Sequence, residues 1–335
     1  MTILVTGSEG FIGSHLVQAL LERGHSVKAL VLYNSWSSIG WLNEIPVNLR
    51  GQLQICFGDV RDRGSLESEI KGCSVVFHLA SLIAIPYSYT APQSYVDTNV
   101  TGTLNVLTLC KELGVRVIHT STSEVYGTAQ FTPMTEAHPL VAQSPYAASK
   151  IAADQLAYSF HCSYQLPVDI VRPFNTFGPR QSLRAIIPTI ICQALSLRDG
   201  LIKQLNLGNL SAIRDLNYVD DTVEGFIAVL DNGDCSGKTY NIGSGRPTQI
   251  SDLVDLVGQV LNVPLPILQN KERFRPEKSE VQALICDSAT AFTALQWHPN
   301  YSGEEGLLRA LYQTVDWFSA HQEYRNLYDT NAYHK

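Results

Sequence analysis

The fold is decided near the start of the chain, by the stretch TILVTGSEGFIG at residues 2–13. A short β-branched run is followed by glycines at positions 7, 10 and 13, which form a GxxGxxG pattern at the opening of a helical segment. Glycine at such a turn lets the backbone approach a pyrophosphate, which the unpaired N–H groups of the helix N-terminus bind. The stretch therefore predicts a strand, a turn and a helix that bind a dinucleotide.

Outward from this stretch, short apolar runs alternate with segments of helical period. The predicted strands are Thr2–Thr6, Val27–Leu32, Leu53–Phe57, Val75–Leu79, Val115–Thr120 and Val168–Arg172, and the predicted helices between them are Phe11–Arg23, Ser65–Lys71, Gln93–Leu113 and Pro145–Tyr164. This alternation predicts an α/β fold with a Rossmann-type doubly wound parallel sheet in residues 1–174. Residues 175–335 are expected to form mainly a smaller α/β substrate-binding lobe, with the chain crossing between the lobes more than once.

Composition narrows the classes of function. The 335 residues are 45% hydrophobic and carry a formal net charge of −7, so neither a nucleic acid nor a membrane is expected as a partner. The seven cysteines are scattered without a CxxC pair, which predicts free buried thiols and no metal site. Met1 leads directly into the first strand without a signal-peptide pattern, and we expect a cytoplasmic protein.

Strand ends supply the other candidate cofactor contacts. Asp59 and Val60 come just after the third strand, and Leu79, Ala80 and Ser81 lie at the end of the fourth. An acidic partner for the adenosine ribose is expected after the second strand, but residues 24–43 contain no Asp or Glu and no Arg. The sequence therefore favours NAD without excluding NADP.

A second group of residues indicates catalysis. The fifth predicted strand ends in TSTSEVYG at 120–127, and Tyr146 and Lys150 are spaced i, i+4 on one face of a predicted helix. An ammonium beside a phenol, together with a positive nicotinamide, lowers the phenol pKa so that it acts as a base. Chance also places a surface Tyr four residues before a Lys. Similarly, Glu124 is either a catalytic carboxylate or one that satisfies N–H groups at a helix start.

Four motifs together resemble the extended short-chain dehydrogenase/reductase, NAD-dependent epimerase/dehydratase family. They are GxxGxxG, Tyr146-x-x-x-Lys150, DTNVTGT at 97–103 and RPFN at 172–175. The resemblance implies cofactor contacts from Gly7, Gly10, Phe11, Ile12, Gly13, Asn99, Tyr146, Lys150 and Pro173. TSEVYG at 122–127 resembles nucleotide-sugar 4,6-dehydratases. Similarity along 83–89 and 123–131 is nearest to the LegB-type enzymes of legionaminic acid biosynthesis, which implies a UDP- or GDP-linked N-acetylglucosamine substrate.

The resemblance also implies roles. Tyr146 takes the proton of the sugar 4-hydroxyl, Thr122 holds that oxygen, Lys150 binds the nicotinamide ribose, and Glu124 takes the C5 proton before water leaves C6. Ser123 departs from the Asp that donates the proton to the leaving hydroxyl in dTDP-glucose dehydratases. Glu124 or a water must then supply that proton, and the sequence does not choose between them or decide whether 5-epimerisation follows.

Substrate contacts are expected from residues of several segments: Tyr87, Thr122, Asn175, Arg180, Arg214 and Arg275. By resemblance, two copies pair through helices 93–113 and 145–164 as a homodimer. The rivals are a UDP-glucuronate decarboxylase, a 4-epimerase and a non-catalytic dinucleotide-sensing protein. Decarboxylases tend to carry an Arg just before the Tyr, whereas this chain has AQSP at 142–145, which favours dehydration.

Overall fold

The computed structural model describes residues 1–234 and 236–327. Its strands are β1 (Thr2–Thr6), β2 (Ser26–Leu32), β3 (Leu53–Gly58), β4 (Val75–His78), β5 (Arg116–Thr120), β6 (Val168–Pro173), β7 (Asn175–Phe177), β8 (Leu205–Leu207), β9 (Ile213–Tyr218), β10 (Ser236–Ile242), β11 (Pro247–Gln249), β12 (Ile267–Gln269) and β13 (Ala283–Leu284). The six strands expected in the first half are confirmed; β1 has the predicted bounds, and each of the other five differs by one residue at one end.

The helices follow the expected alternation. They are α1 (Phe11–Glu22), α2 (Arg63–Ile70), α3 (Ile85–Thr90), α4 (Pro92–Tyr95), α5 (Gly102–Leu113), α6 (Pro145–Tyr164), α7 (Ile186–Arg198), α8 (Val219–Asn232), α9 (Ile250–Leu261), α10 (Ala289–Leu295), α11 (Gly303–Ala320) and α12 (Gln322–Arg325). The helix expected at 93–113 is not uniform, because a π-helical segment, Val96–Thr101, separates α4 from α5. Such a segment widens the helix locally and is common at functional sites.

A seven-stranded parallel sheet organises the molecule, with the strand order β10-β6-β5-β4-β1-β2-β3. The order reverses between β1 and β4, and ligands of such sheets bind at the carboxyl ends of the strands beside this switch point. Helices cover both faces: Ile3 and Val5 of β1 pack into one hydrophobic cluster, whereas Leu4 packs into the other. The predicted Rossmann-type α/β class is therefore confirmed.

The seventh strand comes from the second half of the chain. Strand β10 pairs in parallel with β6, with Asn241 opposite Arg172. It was not predicted, because SGKTYNI at 236–242 is too polar to read as a buried strand. The large sheet thus includes residues beyond 174, and the division of the chain at 174 into two lobes stays a prediction.

The smaller sheets lie after β6 in the chain. Strands β11, β9 and β13 form one sheet to which β7 adds beside β9, and β12 pairs with β8. This part begins where β6 ends, so its side chains are delivered to the carboxyl edge of the large sheet. Helix α8 returns to pack against α1, with Arg23 paired to Glu224.

Two sequence expectations concern the surface and the thiols. Within the described parts of the chain, no helix combines the length and apolarity needed to span a bilayer. Six cysteines are free thiols; five are buried, but Cys162 is exposed, so the expectation of uniformly buried thiols is wrong there. Cys235 lies outside the described residues.

Candidate active site

The glycine loop is shaped by two close approaches. Gly7 has a φ of +65°, and a Cβ there would lie 2.8 Å from the Ala80 nitrogen, while a Cβ on Gly13 would lie 2.1 Å from the Gly7 carbonyl oxygen. Helix α1 begins at Phe11, directly after Gly10, and Ile12 follows in its first turn. No described side chain caps the N–H groups of this turn. A tight cradle below an uncapped helix N-terminus fits the pyrophosphate of a dinucleotide.

The ends of β1 and β4 are fastened to each other beside this cradle. The Thr6 hydroxyl accepts hydrogen bonds from the Leu79 and Ala80 nitrogens at 3.1 and 3.0 Å. Asn99, from the π-helical segment, accepts from the Leu82 nitrogen and donates to the Leu82 carbonyl and to Ser149. Asn99 is therefore placed as a support of the 79–82 segment, with Ser81 held between.

The adenosine end of the cradle differs from expectation. Asp59 binds Arg61 through both carboxylate oxygens, which lowers the Asp59 pKa, and Val60 packs against Gly102. A carboxylate does lie at the end of β2, but it comes from Glu9 in the glycine loop, whose Oε1 accepts from the Leu32 nitrogen at 3.0 Å. Sequence reasoning missed Glu9 because it looked for the acid on β2 itself.

Helix α6 carries the predicted catalytic pair, Tyr146 and Lys150, close to its start. Ser144 accepts a hydrogen bond from the Ala147 nitrogen at 3.1 Å and Pro145 occupies the first turn, so Tyr146 lies at the mouth of the helix. The Tyr146 ring is buried edge-on to Tyr95, at 6.2 Å between ring centres. Four residues on, the Lys150 ammonium is buried and donates to the Thr120 carbonyl at 2.5 Å.

The protonation of this pair departs from the sequence expectation. Burial raises the pKa of the Tyr146 phenol well above its ordinary value; a hydrogen bond with Thr122 opposes the rise and Glu124 adds to it. Burial also lowers the pKa of Lys150 to about 8. In the protein alone the phenol pKa is therefore raised and not lowered. The sequence expectation also includes a positively charged nicotinamide, so a lowered phenol pKa in the cofactor complex stays a prediction.

Glu124 stands next to Tyr146 in a short 3₁₀ turn, Ser123–Tyr126. Thr122 caps this turn by accepting from the Glu124 nitrogen at 3.3 Å, so Thr122 and Glu124 are positioned together. The Glu124 side chain is 10% exposed, and Ser123 is buried. The turn therefore holds the three predicted residues at one place beside the phenol.

Two predicted arginines face Glu124 from the second half of the chain. The Arg275 Nη1 lies 3.8 Å from Glu124 Oε1, and Arg214, on β9, lies 3.5 Å from Glu280. Burial lowers the pKa of Arg214, while the Glu124 charge works against that lowering. Two neighbouring guanidinium groups, those of Arg214 and Arg275, beside the buried Glu124 carboxylate fit a polyanionic ligand, because paired guanidinium groups bind phosphates.

The other substrate candidates divide into two groups. Asn175 opens β7 with a side-chain Oδ1 that is buried and has no partner in the described part of the chain, and Tyr87 is 41% exposed on α3. Pro173 ends β6, two residues before Asn175. Arg180 lies elsewhere: it binds Glu44 at 3.0 Å and Gln18 at 3.1 Å, so its placement supports α1 and not a substrate.

A buried ionic network behind Lys150 was not predicted. Asp154, one helical turn further along α6, accepts from Ser121 at 2.8 Å and from Arg172 at 3.0 Å, and lies 3.3 Å from His119. Burial alone raises the Asp154 pKa, but the His119 and Arg172 interactions outweigh it and hold the pKa below its ordinary value. The i, i+4 spacing from Lys150 was the available sequence signal.

A family model described as GDP-mannose 4,6 dehydratase matches residues 4–310 of this chain. The chain belongs to this family. A dTDP-glucose 4,6-dehydratase of Streptomyces antibioticus is 32% identical over 323 residues, which cover 95% of this chain and 92% of that protein. The resemblance to NAD-dependent epimerases and dehydratases is thus confirmed at the level of the family.

Solved structures agree with this placement in the GDP-mannose 4,6 dehydratase family. A double mutant of DesIV, a dTDP-glucose 4,6-dehydratase of Streptomyces venezuelae solved with NAD bound, superposes with a TM-score of 0.84 at 30% identity, covering 97% of this chain and 98% of its own. A mutant UDP-glucuronic acid 4-epimerase of Bacillus cereus, also solved with NAD, has a TM-score of 0.85 at 28% identity, with 98% and 100% covered.

Family membership establishes an enzyme of the nucleotide-sugar dehydratase and epimerase group. Because dehydratases and epimerases share this scaffold, the reaction has to be argued from the residues around Tyr146.

Proposed function

We propose that the protein is an NAD-dependent 4,6-dehydratase that converts UDP- or GDP-linked N-acetylglucosamine to the 4-keto-6-deoxy sugar. The single observation that carries the proposal is the position of Glu124, a buried carboxylate beside the Tyr146 phenol. A 4-epimerase needs one base at the 4-hydroxyl, whereas dehydration needs a second base for the C5 proton. The chain supplies both.

Tyr146 performs the first proton transfer. Its phenol lies within reach of Thr122, so a sugar hydroxyl placed between them gives its proton to Tyr146 while Thr122 holds the oxygen. A bound NAD would supply the hydride acceptor for C4 and, once reduced, the hydride donor for C6. We propose that Lys150, whose pKa burial lowers to about 8, binds the nicotinamide ribose and stabilises the phenolate.

Glu124 performs the second transfer. Once C4 is a ketone, the C5 proton is acidic, and Glu124 takes it. Ser123 is a poor acid, so the same carboxyl group is proposed to pass this proton to the C6 hydroxyl, which leaves as water. As hydride returns to C6, C5 takes up a proton from solvent, and Tyr146 releases to solvent the proton that it took from the 4-hydroxyl. The Arg275 guanidinium lies 3.8 Å from Glu124, and a diphosphate would compete with Glu124 for Arg275 and with Glu280 for Arg214.

The sugar assignment rests on the resemblance along 83–89 and 123–131 to the LegB-type enzymes. Mass spectrometry of the purified protein with UDP-N-acetylglucosamine, GDP-N-acetylglucosamine, dTDP-glucose and UDP-glucuronate tests it. A product lighter by one water from an N-acetylglucosamine nucleotide is expected. Loss of carbon dioxide from the glucuronate, or dehydration of dTDP-glucose alone, would overturn the proposed sugar or reaction.

Replacing Glu124 by glutamine separates the two proton transfers. We expect dehydration to fall by roughly 10²–10⁴-fold, since a general base is lost, while reduction of NAD on mixing with the sugar nucleotide persists. Absorbance of the reduced cofactor and product mass are measured together. Glu277→Gln, an exposed carboxylate, is the matched control and should leave both unchanged. Unimpaired dehydration by Glu124→Gln would refute the role of this carboxylate.

Assembly and location belong to the same proposal. Helices α5 and α6 expose Leu104, Tyr158 and Tyr164, with 39%, 51% and 56% of each residue accessible, and we propose that this face pairs in a homodimer. Sedimentation showing monomer alone at micromolar concentration would contradict it. A cytoplasmic location accords with the free thiols, and cell fractionation tests it.

A further inference from the structure

The carboxylate at the end of β2 has an unusual origin. Glu9 belongs to the glycine loop, yet its Oε1 accepts from the Leu32 nitrogen at 3.0 Å, where the last residue of β2 stands. In dinucleotide-binding sheets this is the location of an acidic side chain that accepts from the adenosine ribose hydroxyls. Here β2 ends in Val31 and Leu32, neither of which can do so.

Glu9 is held firmly in this position. Its carbonyl accepts from the Trp41 nitrogen at 3.1 Å, and Gly40 approaches so closely that a Cβ there would lie 2.6 Å from the same oxygen. One side of the loop is therefore fixed by the β2–β3 connection, and the other by Ser8, whose hydroxyl donates to the Leu30 carbonyl at 2.9 Å. The carboxylate cannot move far from the end of β2.

One carboxylate oxygen still lacks a donor. The Oε2 atom is shielded from solvent and has no hydrogen-bond partner in the described chain, although the residue as a whole remains partly exposed. Leaving a carboxylate oxygen without water or a donor is costly, so such an atom marks a place where a ligand hydroxyl is expected.

The charged residues near the end of β2 also favour a cofactor without a 2′-phosphate. Between Lys28 and Arg50 the chain has no Lys or Arg to hold a 2′-phosphate. Arg61, after the adjacent strand β3, is bound by both oxygens of Asp59. A phosphate brought to the end of β2 would meet the Glu9 carboxylate without a free cation to offset the repulsion.

We infer that Glu9 is the ribose-binding residue of this enzyme and the determinant that makes it select NAD over NADP. The carboxylate accepts from the adenosine 2′-hydroxyl and repels a 2′-phosphate at the same position. This inference concerns the cofactor alone and holds whichever sugar nucleotide is the substrate.

Cofactor affinity measured without sugar tests it. Titration calorimetry on protein freed of cofactor gives the Kd of NAD and of NADP for the wild type, for Glu9→Gln and for the control Glu67→Gln on the exposed side of α2. We expect the wild type and the control to prefer NAD. In Glu9→Gln the Kd of NADP divided by the Kd of NAD should fall by about tenfold or more. The charged acceptor of the 2′-hydroxyl of NAD and the repulsion of the 2′-phosphate of NADP are both removed.

A purely structural role for Glu9 predicts a different result. If Glu9 only braces the loop, the melting temperature falls and both affinities weaken by the same factor, which would overturn the inference, as would wild-type protein that binds NADP as tightly as NAD. Should Glu9→Gln fail to fold, Glu9→Asp retains the charge but shortens its reach. The Glu9→Asp variant should bind NAD more weakly and still reject NADP. An unchanged affinity for NAD would contradict the role of Glu9 in binding the ribose.

Discussion

Replacing Asp154 by asparagine removes the charge that balances a buried guanidinium. The Asp154 side chain is fully buried, and its Oδ2 accepts from Arg172 at 3.0 and 3.1 Å. Breaking one partner of a buried ion pair costs roughly 3–5 kcal/mol, because the remaining charge stays out of water. Asparagine keeps one oxygen as an acceptor, so we expect a loss of about 3 kcal/mol, a large part of the roughly 5–15 kcal/mol of a typical native state.

Urea denaturation followed by fluorescence measures this loss. The Asp154 pKa is lowered in the folded state, so its contribution is complete above its ordinary pKa of 3.8 and disappears as the pH falls through the lower, folded value. The difference between wild type and variant should shrink accordingly in acid. Glu224→Gln, which breaks the half-exposed pair with Arg23, is the control and should change the free energy of unfolding by less than about 1 kcal/mol. A similarly small loss for Asp154→Asn would refute the reasoning.

Three further substitutions test the site. Tyr146→Phe should lower kcat by at least about 100-fold while calorimetry shows NAD binding retained, and persistent turnover would remove Tyr146 from catalysis. Lys150→Met should abolish turnover yet raise the free energy of unfolding at pH 7 by about 1–2 kcal/mol, because burial disfavours the ammonium by more than the Thr120 contact and the attraction to Asp154 stabilise it. That gain should narrow between pH 8 and 10.5, where the native amine is already neutral, and a constant difference would contradict it. Arg275→Met should raise the KM for the nucleotide sugar by about tenfold with the Kd of NAD unchanged, and an unaltered KM would exclude a phosphate contact.

The first half of the fold was accessible to sequence reasoning because each signal there is local. The glycines at 7 and 13 are required by contacts within the same turn, and the strands are apolar because helices cover both faces of the sheet. Likewise Ser144 and Pro145 mark the start of α6, which determines where Tyr146 and Lys150 lie. The residues of the proposed catalytic group could therefore be named from spacing and resemblance.

The misses share a different cause, which is that the deciding partner lies far away in sequence. In the sequence Arg180 is an isolated cation, but in the structure it pairs with Glu44, 136 residues earlier in the chain. The sequence of β10 is polar, yet its Asn241 can be buried because it accepts a hydrogen bond from the Tyr126 hydroxyl and donates one to the Met134 carbonyl. Glu9 was overlooked because a side chain from one loop can occupy the place expected for the next strand. Neither periodicity nor spacing records such partners.

The position of β10 has a consequence for how this protein is made and for how it can be recombined. Until residue 242 has left the ribosome, β6 has an unpaired edge, and its residues Val168–Pro173 are all buried in the finished molecule. An unpaired apolar edge invites pairing with other chains. A chimera that takes everything after residue 174 from a relative must therefore also take a strand that pairs with β6. An exchange at residue 174 thus replaces one edge strand of the seven-stranded sheet as well as the second half of the chain.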